Sequence, residues 1–300
     1  MGGQLSVETQ LKRIIPKLDY AQHKGSCGKV AILGGSVEYT GAPYFSAMTA
    51  LRVGCDISHV FCHEEAATAI KAYSPELIVH PFFKQDYNLE DCIKWADTIQ
   101  CFVVGPGLGR DQYILDIAKA VCGVLLSKGK RIVFDADGLF MITKNIEMIK
   151  NKKNVILTPN VAEYGRLCEA VGLPVYADVY RLAKELGGVT IFQKGRVDVI
   201  SNGTYTVQCK HSGSPRRCGG QGDLLSGALA AFIAWSVLAP NTDENDLLVS
   251  GVAVSALIKE CNAAAFKQKG RGMIATDMLD NISFVFNQIF EEPNMKLNYS

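Results

Sequence analysis

The sequence has no excess of charge of either sign. Its 31 lysine and arginine residues are balanced by 30 aspartate and glutamate residues, which leaves a formal net charge of +1. It also has no cluster of lysine and arginine of the kind that follows a phosphate backbone. We therefore expect no nucleic-acid partner.

The ten cysteines include no C-x-x-C pair and are scattered along the chain. The sequence therefore lacks the ligand spacing of a structural zinc site and the pattern of a disulfide-bonded domain. Several cysteines lie in apolar runs, as Cys101 does in CFVVGPG, which is typical of buried, reduced thiols. We expect a cytoplasmic protein, with a mitochondrial form made from a longer precursor as the alternative.

Long apolar runs are also lacking. The longest, residues 224–239, contains Ser and Gly and is shorter than the about 20 residues that a membrane-spanning helix needs. The first residues have no continuous apolar core like that of a secretory signal. They fit the M-G-x-x-x-[ST] myristoylation pattern through Gly2 and Ser6, but we expect an unmodified start because one acyl chain anchors weakly. We expect no membrane attachment and predict a buried helix over residues 224–239.

The sequence does contain a regular alternation of short apolar runs with helical stretches. Strands are predicted in KVAILGG, ISHVFC, TIQCFVVGPGLG, RIVFDADGL, NVILTPN and VTIFQKG. Such alternation is typical of an α/β fold with three layers, α/β/α, around a mainly parallel sheet. VDVISNGTYTVQC predicts an antiparallel hairpin at an edge. We expect one domain over residues 24–290, an N-terminal extension or helix over 1–23 and a C-terminal tail over 291–300.

Glycine turns and polar residues follow several of the predicted strands. The turns are at residues 34–35, 105–109 and 195, and the polar residues are Asp135, Asn160 and Lys194. In open α/β sheets, ligands bind outside the carboxyl ends of the strands. We therefore expect these residues to converge on one edge of the sheet and to form the binding site.

Two common phosphate-binding glycine motifs are absent. In GPGLGR, Arg110 stands where G-x-G-x-x-G requires its last glycine, and in CGK, Val30 follows the lysine where a P-loop has Ser or Thr. GGQGD, which ends at Asp223 before an apolar helix, is a better candidate. Its glycines let backbone N–H groups converge on an anion, and the helix start adds positive potential.

The GGQGD motif leaves two interpretations of Asp223 open. It is either a helix N-cap in a tight turn, or a general base that takes a proton from an acceptor hydroxyl during phosphoryl transfer. A free aspartate has a pKa near ~3.9. We therefore expect Asp223 to be ionised at neutral pH and to be a weak base.

Three further segments have both a structural and a functional interpretation. Lys194 in QKGRVD either meets a phosphate or stands at the entrance of a hairpin. Asn160 and Glu163 form a helix-capping pair, and Glu163 is also a candidate to hold water on Mg²⁺. Asp135 and Asp137 in FDADGL come at a strand end, where they serve either a turn or Mg²⁺.

Together these segments resemble the ribokinase-like superfamily, whose catalytic G-x-G-D signature is similar to GGQGD. Over about residues 24–277 the chain is similar to the ATP-dependent NAD(P)H-hydrate dehydratases, and within them to the eukaryotic branch. The segments that carry the resemblance occur in that family's order and spacing: VAILGGSVEYTGAPYFSAMTALRVGCD, YSPELIVHP, FVVGPGLGRD, FDADGLFMI, ILTPNVAEYGRL and QKGRVDVIS.

The resemblance implies a role for individual residues. Asp223 corresponds to the catalytic acid beside the substrate, and Gly107 to a glycine that contacts the hydrated dinucleotide. The other residues implied to bind that substrate are Asn160, Val161, Ala162, Glu163, Tyr164, Gly165 and Arg166. The residues implied to bind ATP are Lys194, Gly195, Arg196, Val197, Asp198, Gly213, Ser214, Pro215, Arg216, Arg217, Cys218, Gly219, Gly220, Gln221 and Gly222. The family uses Mg²⁺. Many relatives have fewer charges before the glycines, which leaves ATP or ADP open as the nucleotide.

The activity that the resemblance implies is the ATP-dependent dehydration of the S-epimer of hydrated NADH or NADPH (NADHX or NADPHX). The implied partners are these substrates and ATP, with a functional link to an NAD(P)HX epimerase; a homo-oligomer is left open. Two alternatives stay open as well: a ribokinase-like kinase of a hydroxymethyl heterocycle, and a non-catalytic nucleotide-binding protein.

Overall fold

The computed structural model describes residues 6–291 and 297–300, so Gly2 of the myristoylation pattern lies outside the described residues. The strands are β1 (Lys29–Leu33), β2 (Ile57–His63), β3 (Ile78–Phe83), β4 (Cys101–Val104), β5 (Arg131–Phe134), β6 (Val155–Leu157), β7 (Thr190–Gln193), β8 (Asp198–Ser201) and β9 (Thr206–Cys209). The α-helices are α1 (Val7–Ile14), α2 (Gly41–Val53), α3 (Glu64–Tyr73), α4 (Glu90–Ala96), α5 (Gln112–Ser127), α6 (Ala136–Thr143), α7 (Val161–Ala170), α8 (Val179–Glu185), α9 (Gln221–Leu238), α10 (Asp246–Lys269) and α11 (Ala275–Phe286).

The described strands form one sheet in the order β3-β2-β1-β4-β5-β6-β7-β8-β9. Strands β1 to β7 pair in parallel, whereas β8 and β9 are antiparallel to their neighbours. The mainly parallel sheet and the edge hairpin are therefore confirmed. In the hairpin, the Asn202 side-chain oxygen accepts hydrogen bonds from the Thr204 and Tyr205 N–H groups, and Gly203 takes a φ of +77°, a conformation that favours glycine.

Apolar side chains cover both faces of the sheet. One buried cluster takes its helical residues from α1, α2, α3, α9, α10 and α11, and the other takes them from α4 to α8. The fold is therefore the three-layer α/β/α arrangement that was expected. Helices α9 and α10 are long and apolar enough to cross a membrane, but 72% and 78% of their apolar windows are buried. They are core helices here, as predicted for residues 224–239.

The segment RIVFDADGL is not one strand, so this prediction was wrong beyond Phe134. Strand β5 ends at Phe134, and α6 begins at Ala136. Ala136 has a φ of +46°, which turns the chain out of the sheet. Gly138 makes the tight start of α6 possible, because a Cβ there would lie 2.1 Å from the Val104 carbonyl oxygen. As a result Asp135 sits in the corner between strand and helix and is only 2% exposed.

Gly227 lies where α9 crosses α2. A Cβ at this position would lie 2.0 Å from the backbone oxygen of Ser46, so the helices would have to separate. We expect Gly227→Ala to lower the free energy of unfolding by about 2–3 kcal/mol, as measured by urea denaturation. Gly123→Ala is the matched control in α5, where the added Cβ has 4 Å of free space among the described residues; it should stabilise by up to about 1 kcal/mol. Equal effects of both changes would contradict this account.

Candidate active site

Two glycine turns meet at the carboxyl ends of β1 and β4. The Gly35 N–H donates to the carbonyl oxygens of Pro106 and Gly107, at 3.0 Å and 3.1 Å. A Cβ on Gly34 would lie 2.1 Å from the Pro106 oxygen, so the two turns approach too closely for a side chain. Gly107, the residue implied to contact the dinucleotide, is held in this contact with a φ of +60°. The structure thus brings these turns to one edge of the sheet.

The carboxylate of Asp137 ties the second of these turns to α6. One of its oxygens accepts a hydrogen bond from the Gly109 N–H and the other from Nε of Arg110, both at 3.0 Å. The Arg110 guanidinium also lies over the Phe140 ring, 4.5 Å from its centroid. Of the two interpretations of Asp137, the structure supports the one in which it stabilises a turn.

Lys194 and Asp135 form a buried ion pair across the ends of β7 and β5. The Lys194 Nζ lies 2.8 Å from Asp135 Oδ1, and Thr158 Oγ1 donates to the same oxygen at 2.9 Å. Burial disfavours the charge on Lys194, but Asp135 and then Glu163 outweigh burial and raise the pKa of Lys194. The lysine is therefore charged and points into the site, not out of a hairpin.

The start of α7 has the predicted capping box. The Asn160 side-chain oxygen accepts from the Glu163 N–H at 3.0 Å, and Glu163 Oε2 accepts from the Asn160 N–H at 2.8 Å. Burial raises the pKa of Glu163, and Lys194 opposes this shift. No described residue donates a hydrogen bond to the second carboxylate oxygen of Glu163, which leaves it available to a ligand.

Asp223 is not the N-cap of α9, so that interpretation is wrong. The N-cap is Gly220, in a left-handed conformation with a φ of +91°, where a Cβ would lie 2.6 Å from the Ala275 Cβ. Asp223 is the third residue of the helix, and no polar group in residues 6–291 or 297–300 bonds to its carboxylate. The carboxylate is thus placed at a helix start without a structural partner there.

The expectation that Asp223 is ionised at neutral pH is also wrong. Burial, followed by the negative charge of Asp135, raises the pKa of Asp223 to about 8, against the opposing effect of Lys194. A sequence motif contains no information on these neighbours, because Asp135 and Lys194 come from distant strands. A carboxylate with such a pKa is a stronger base than an ordinary aspartate once its proton has left.

A cavity of about 550 Å³ beside the start of α9 brings several candidate residues together. Its lining residues from the predicted segments are Asn160, Val161, Lys194, Gly195, Arg196, Asp198, Gly213, Arg217, Cys218, Gln221 and Gly222. The cavity therefore joins both segments implied to bind ATP with the first residues of the segment implied to bind the dinucleotide. Asp223 follows directly after its lining residue Gly222.

Two substrate-segment residues face the protein instead. The Tyr164 side chain is 2% exposed, and its hydroxyl donates to the Ala177 carbonyl oxygen at 2.7 Å. A Cβ on Gly165 would contact Val175. Ala162 and Arg166 are exposed on the same helix, so a ligand along α7 has access to them.

The arginines before GGQGD bond to the loop itself and to its neighbours. Arg217 Nη1 donates to the Ser214 carbonyl oxygen at 2.8 Å, and Arg216 Nε donates to the Met273 carbonyl oxygen at 3.3 Å. Gln221 Nε2 donates to the Arg216 carbonyl oxygen at 3.2 Å. The two arginine side chains, together with Gln221, therefore hold the loop that leads into α9 in place.

Five residues of the cavity lining were missed by sequence reasoning. They come from α9, α10 and α11: Leu225, Ile258, Lys259, Asn262 and Met278. Four are apolar or amide side chains on helices, and nothing local in the sequence marks them as ligand neighbours. Lys259 has a usable signal, because it is a lone cation within the apolar run VAVSALIKECNAAAF.

The described residues contain no cluster of three or more His, Cys, Asp or Glu side chains that would hold a metal by themselves. Mg²⁺ commonly binds through one or two carboxylates together with substrate phosphates and water. The oxygen of Glu163 that the capping box leaves free fits that kind of shared site, through a water molecule. A metal here would depend on the nucleotide for its remaining ligands.

Comparison with known proteins identifies the family. Residues 30–283 match the family model described as NAD(P)H-hydrate dehydratase. The chain belongs to the NAD(P)H-hydrate dehydratase family. It is 56% identical, over the full length of both chains, to the ATP-dependent (S)-NAD(P)H-hydrate dehydratase of Entamoeba histolytica.

Solved structures of this family and superfamily share the fold. A ribokinase-like superfamily protein from Enterococcus faecalis matches with a TM-score of 0.75 at 20% identity, over 95% of each chain. The ADP/ATP-dependent NAD(P)H-hydrate dehydratase of Bacillus subtilis, co-crystallised with ATP and Mg²⁺, matches with a TM-score of 0.68 at 21% identity, over 94% of this chain and 96% of that one. These likenesses confirm that this dehydratase has a ribokinase-like fold.

Proposed function

We propose that this dehydratase restores NADH and NADPH from the S-epimers of their hydrates, with ATP as the phosphoryl donor. The observation that supports this proposal is the carboxylate of Asp223, at the start of the helix that follows the glycine loop. Its pKa is about 8, and it has no hydrogen-bond partner in the part of the chain that the structure describes. The adjoining cavity of about 550 Å³ has the size and lining of a nucleotide site. The family assignment supplies the substrate class.

The proposed mechanism converts a poor leaving group into a good one. The hydrate has a hydroxyl on the ring carbon beside the ring nitrogen. Asp223 takes the hydroxyl proton as the oxygen bonds to the γ-phosphorus of ATP and the bond to ADP breaks. The nitrogen lone pair then expels phosphate with its C–O electron pair, and a proton leaves the neighbouring carbon. The products are NAD(P)H, ADP and phosphate.

The site suits a Mg²⁺ ion that is coordinated by both the protein and the nucleotide. When bound, it would neutralise charge on the phosphates. We propose that Glu163 holds one of its waters through the oxygen that the capping box leaves free. Lys194, which Asp135 keeps charged, lines the same cavity and adds positive potential there. ATP is our expected nucleotide, with ADP as the alternative to be tested beside it.

The proposal is tested by incubating the protein with the S-hydrate, ATP and Mg²⁺. We expect the dihydronicotinamide absorbance to return, with one ADP and one phosphate released for each NAD(P)H formed. A stable phosphorylated product without phosphate release would instead indicate a kinase, and nucleotide binding without turnover would indicate a binding protein. The same assay with NADHX, NADPHX, ATP and ADP ranks the substrates.

The raised pKa of Asp223 predicts a specific pH dependence. Only the deprotonated carboxylate accepts a proton, so kcat/KM for the hydrate should rise about tenfold per pH unit below pH 8 and level off above it. The measurement is a profile of initial rates from pH 5.5 to about 9.5 with saturating ATP. A profile that is already flat at pH 6 would contradict the assignment of Asp223 as the base.

Three further expectations remain proposals. The dehydration acts on the S-epimer, so we propose a functional link to an epimerase that converts the R-hydrate. We propose a cytoplasmic location, in keeping with ten free cysteines. A homo-oligomer is the third, and light scattering on the purified chain would measure its molecular mass.

A further inference from the structure

Lys259 lies in the middle of α10 and reaches the turn formed by residues 195–198. Its Nζ lies 2.5 Å from the Gly195 carbonyl oxygen, 3.2 Å from that of Arg196 and 3.3 Å from Asp198 Oδ1. A lysine ammonium has three protons, and three acceptors of one turn surround this one. The side chain is only 14% exposed. Lys259 is therefore fully engaged in holding the turn.

Asp198 completes the contact between α10 and the turn. Its Oδ1 accepts a hydrogen bond from the Gly195 N–H at 2.8 Å, and its Oδ2 accepts one from Ser255 Oγ at 2.7 Å. Ser255 and Lys259 are four residues apart, so both project from the same side of the helix. Asp198 lies in the cavity wall but is only 4% exposed, and both of its carboxylate oxygens already bind groups of the protein.

The turn forms part of the wall of the 550 Å³ cavity, together with Lys194 and the glycine loop. Residue 194 belongs to the buried ion pair, and residue 198 begins β8. Gly195 and Arg196, between them, also line the cavity, and Lys259 binds the carbonyl oxygens of both. The shape of this wall therefore depends on a contact from α10.

We propose that Lys259 is a positioning residue for ATP, which holds residues 195–198 in the shape that binds the nucleotide. The proposal rests on the assignment of this cavity to ATP. It makes Asp198 and Ser255 a support for that turn and not direct ligands. Lys259 makes its polar contacts with the turn and none with residues 160–166, the segment implied to bind the hydrated dinucleotide, so binding of that substrate should depend little on Lys259.

The test compares Lys259→Met with Lys267→Met, an exposed lysine on the same helix. We expect Lys259→Met to raise the KM for ATP at least tenfold, with the KM for the hydrate changed less than twofold. Ser255→Ala should raise the KM for ATP about threefold, and Lys267→Met should leave both constants unchanged. Equal increases of both KM values, or an unchanged KM for ATP, would overturn the proposal.

Calorimetric titration with ATP and Mg²⁺ in the absence of the hydrate gives an independent readout. If Lys259→Met does not fold, Lys259→Gln, which keeps two N–H donors, takes its place and should weaken ATP binding by a smaller factor. If the wild-type chain binds ATP but does not turn over the hydrate, the proposed function fails while the binding data still decide the role of Lys259. ATP binding by Lys259→Gln and Ser255→Ala as tight as wild type would contradict that role.

Discussion

Asp223→Asn should reduce turnover of the hydrate by at least about 10³-fold while leaving ATP binding within about threefold of wild type. The amide has nearly the same shape as the acid but accepts no proton from the substrate hydroxyl, and general base catalysis contributes 10² to 10⁴-fold. Initial rates and calorimetric titration with ATP measure the two effects. Asp280→Asn, an exposed aspartate on α11, is the matched control and should be fully active.

The same variant should become more stable than wild type as pH rises. In the folded chain the pKa of Asp223 is about 8, whereas in the unfolded chain it is near ~3.9. The contribution of the Asp223 carboxyl to the free energy of unfolding is therefore fully present below pH 4. It is lost as pH increases towards 8, because in this range the carboxyl ionises in the unfolded chain but stays protonated in the folded one. Asn has no such loss, so we expect Asp223→Asn to be more stable by at least about 2 kcal/mol at pH 8 and equal at pH 4. A difference that does not change with pH would mean that the folded carboxyl is not held neutral.

Local signals in the sequence predicted the sheet, the hairpin and the capping box. The Asn202 and Gly203 turn needs a side-chain acceptor and a positive φ within adjacent residues, and the Asn160 and Glu163 cap needs partners three residues apart. Both are short-range requirements, so a sequence pattern contains them in full. The alternation of strands and helices likewise reflects burial on both faces of a parallel sheet.

The charges around Asp223 could not be predicted from sequence patterns. Lys194 and Asp135 are 59 positions apart, and Asp223 is farther along the chain, so their contact depends on strand order. FDADGL was misassigned because its polar residues follow an apolar strand without a break, whereas the turn at Ala136 depends on tertiary contacts. GGQGD alone indicated an acid at a helix start. Only the fold shows that the acid is partly buried and close enough to Asp135 for that carboxylate to raise its pKa.

Lys194→Met should lower the free energy of unfolding by about 3–5 kcal/mol, because it leaves the carboxylate of Asp135 buried without a counter-charge. Asp135 is 2% exposed, and its remaining partner at Oδ1 is the hydroxyl of Thr158, which does not neutralise it. Urea denaturation at pH 7 is the measurement. The double variant with Asp135→Asn removes both charges and should recover most of the lost stability. If the double variant is as unstable as Lys194→Met, packing and not charge explains the loss.

The same pair sets the pH at which Asp223 works. Asp135 raises the pKa of Asp223 and Lys194 lowers it, and the effect of Asp135 is the larger. Lys194→Met should therefore move the rising limb of kcat/KM to higher pH, and the double variant should move it below that of wild type. This order follows from charge alone, since a loss of folded protein would scale the rate without moving the limb. The pH at which kcat/KM rises thus separates the electrostatic role of the pair from its contribution to stability. If kcat/KM rises at the same pH in wild type, Lys194→Met and the double variant, the pair does not act on the base.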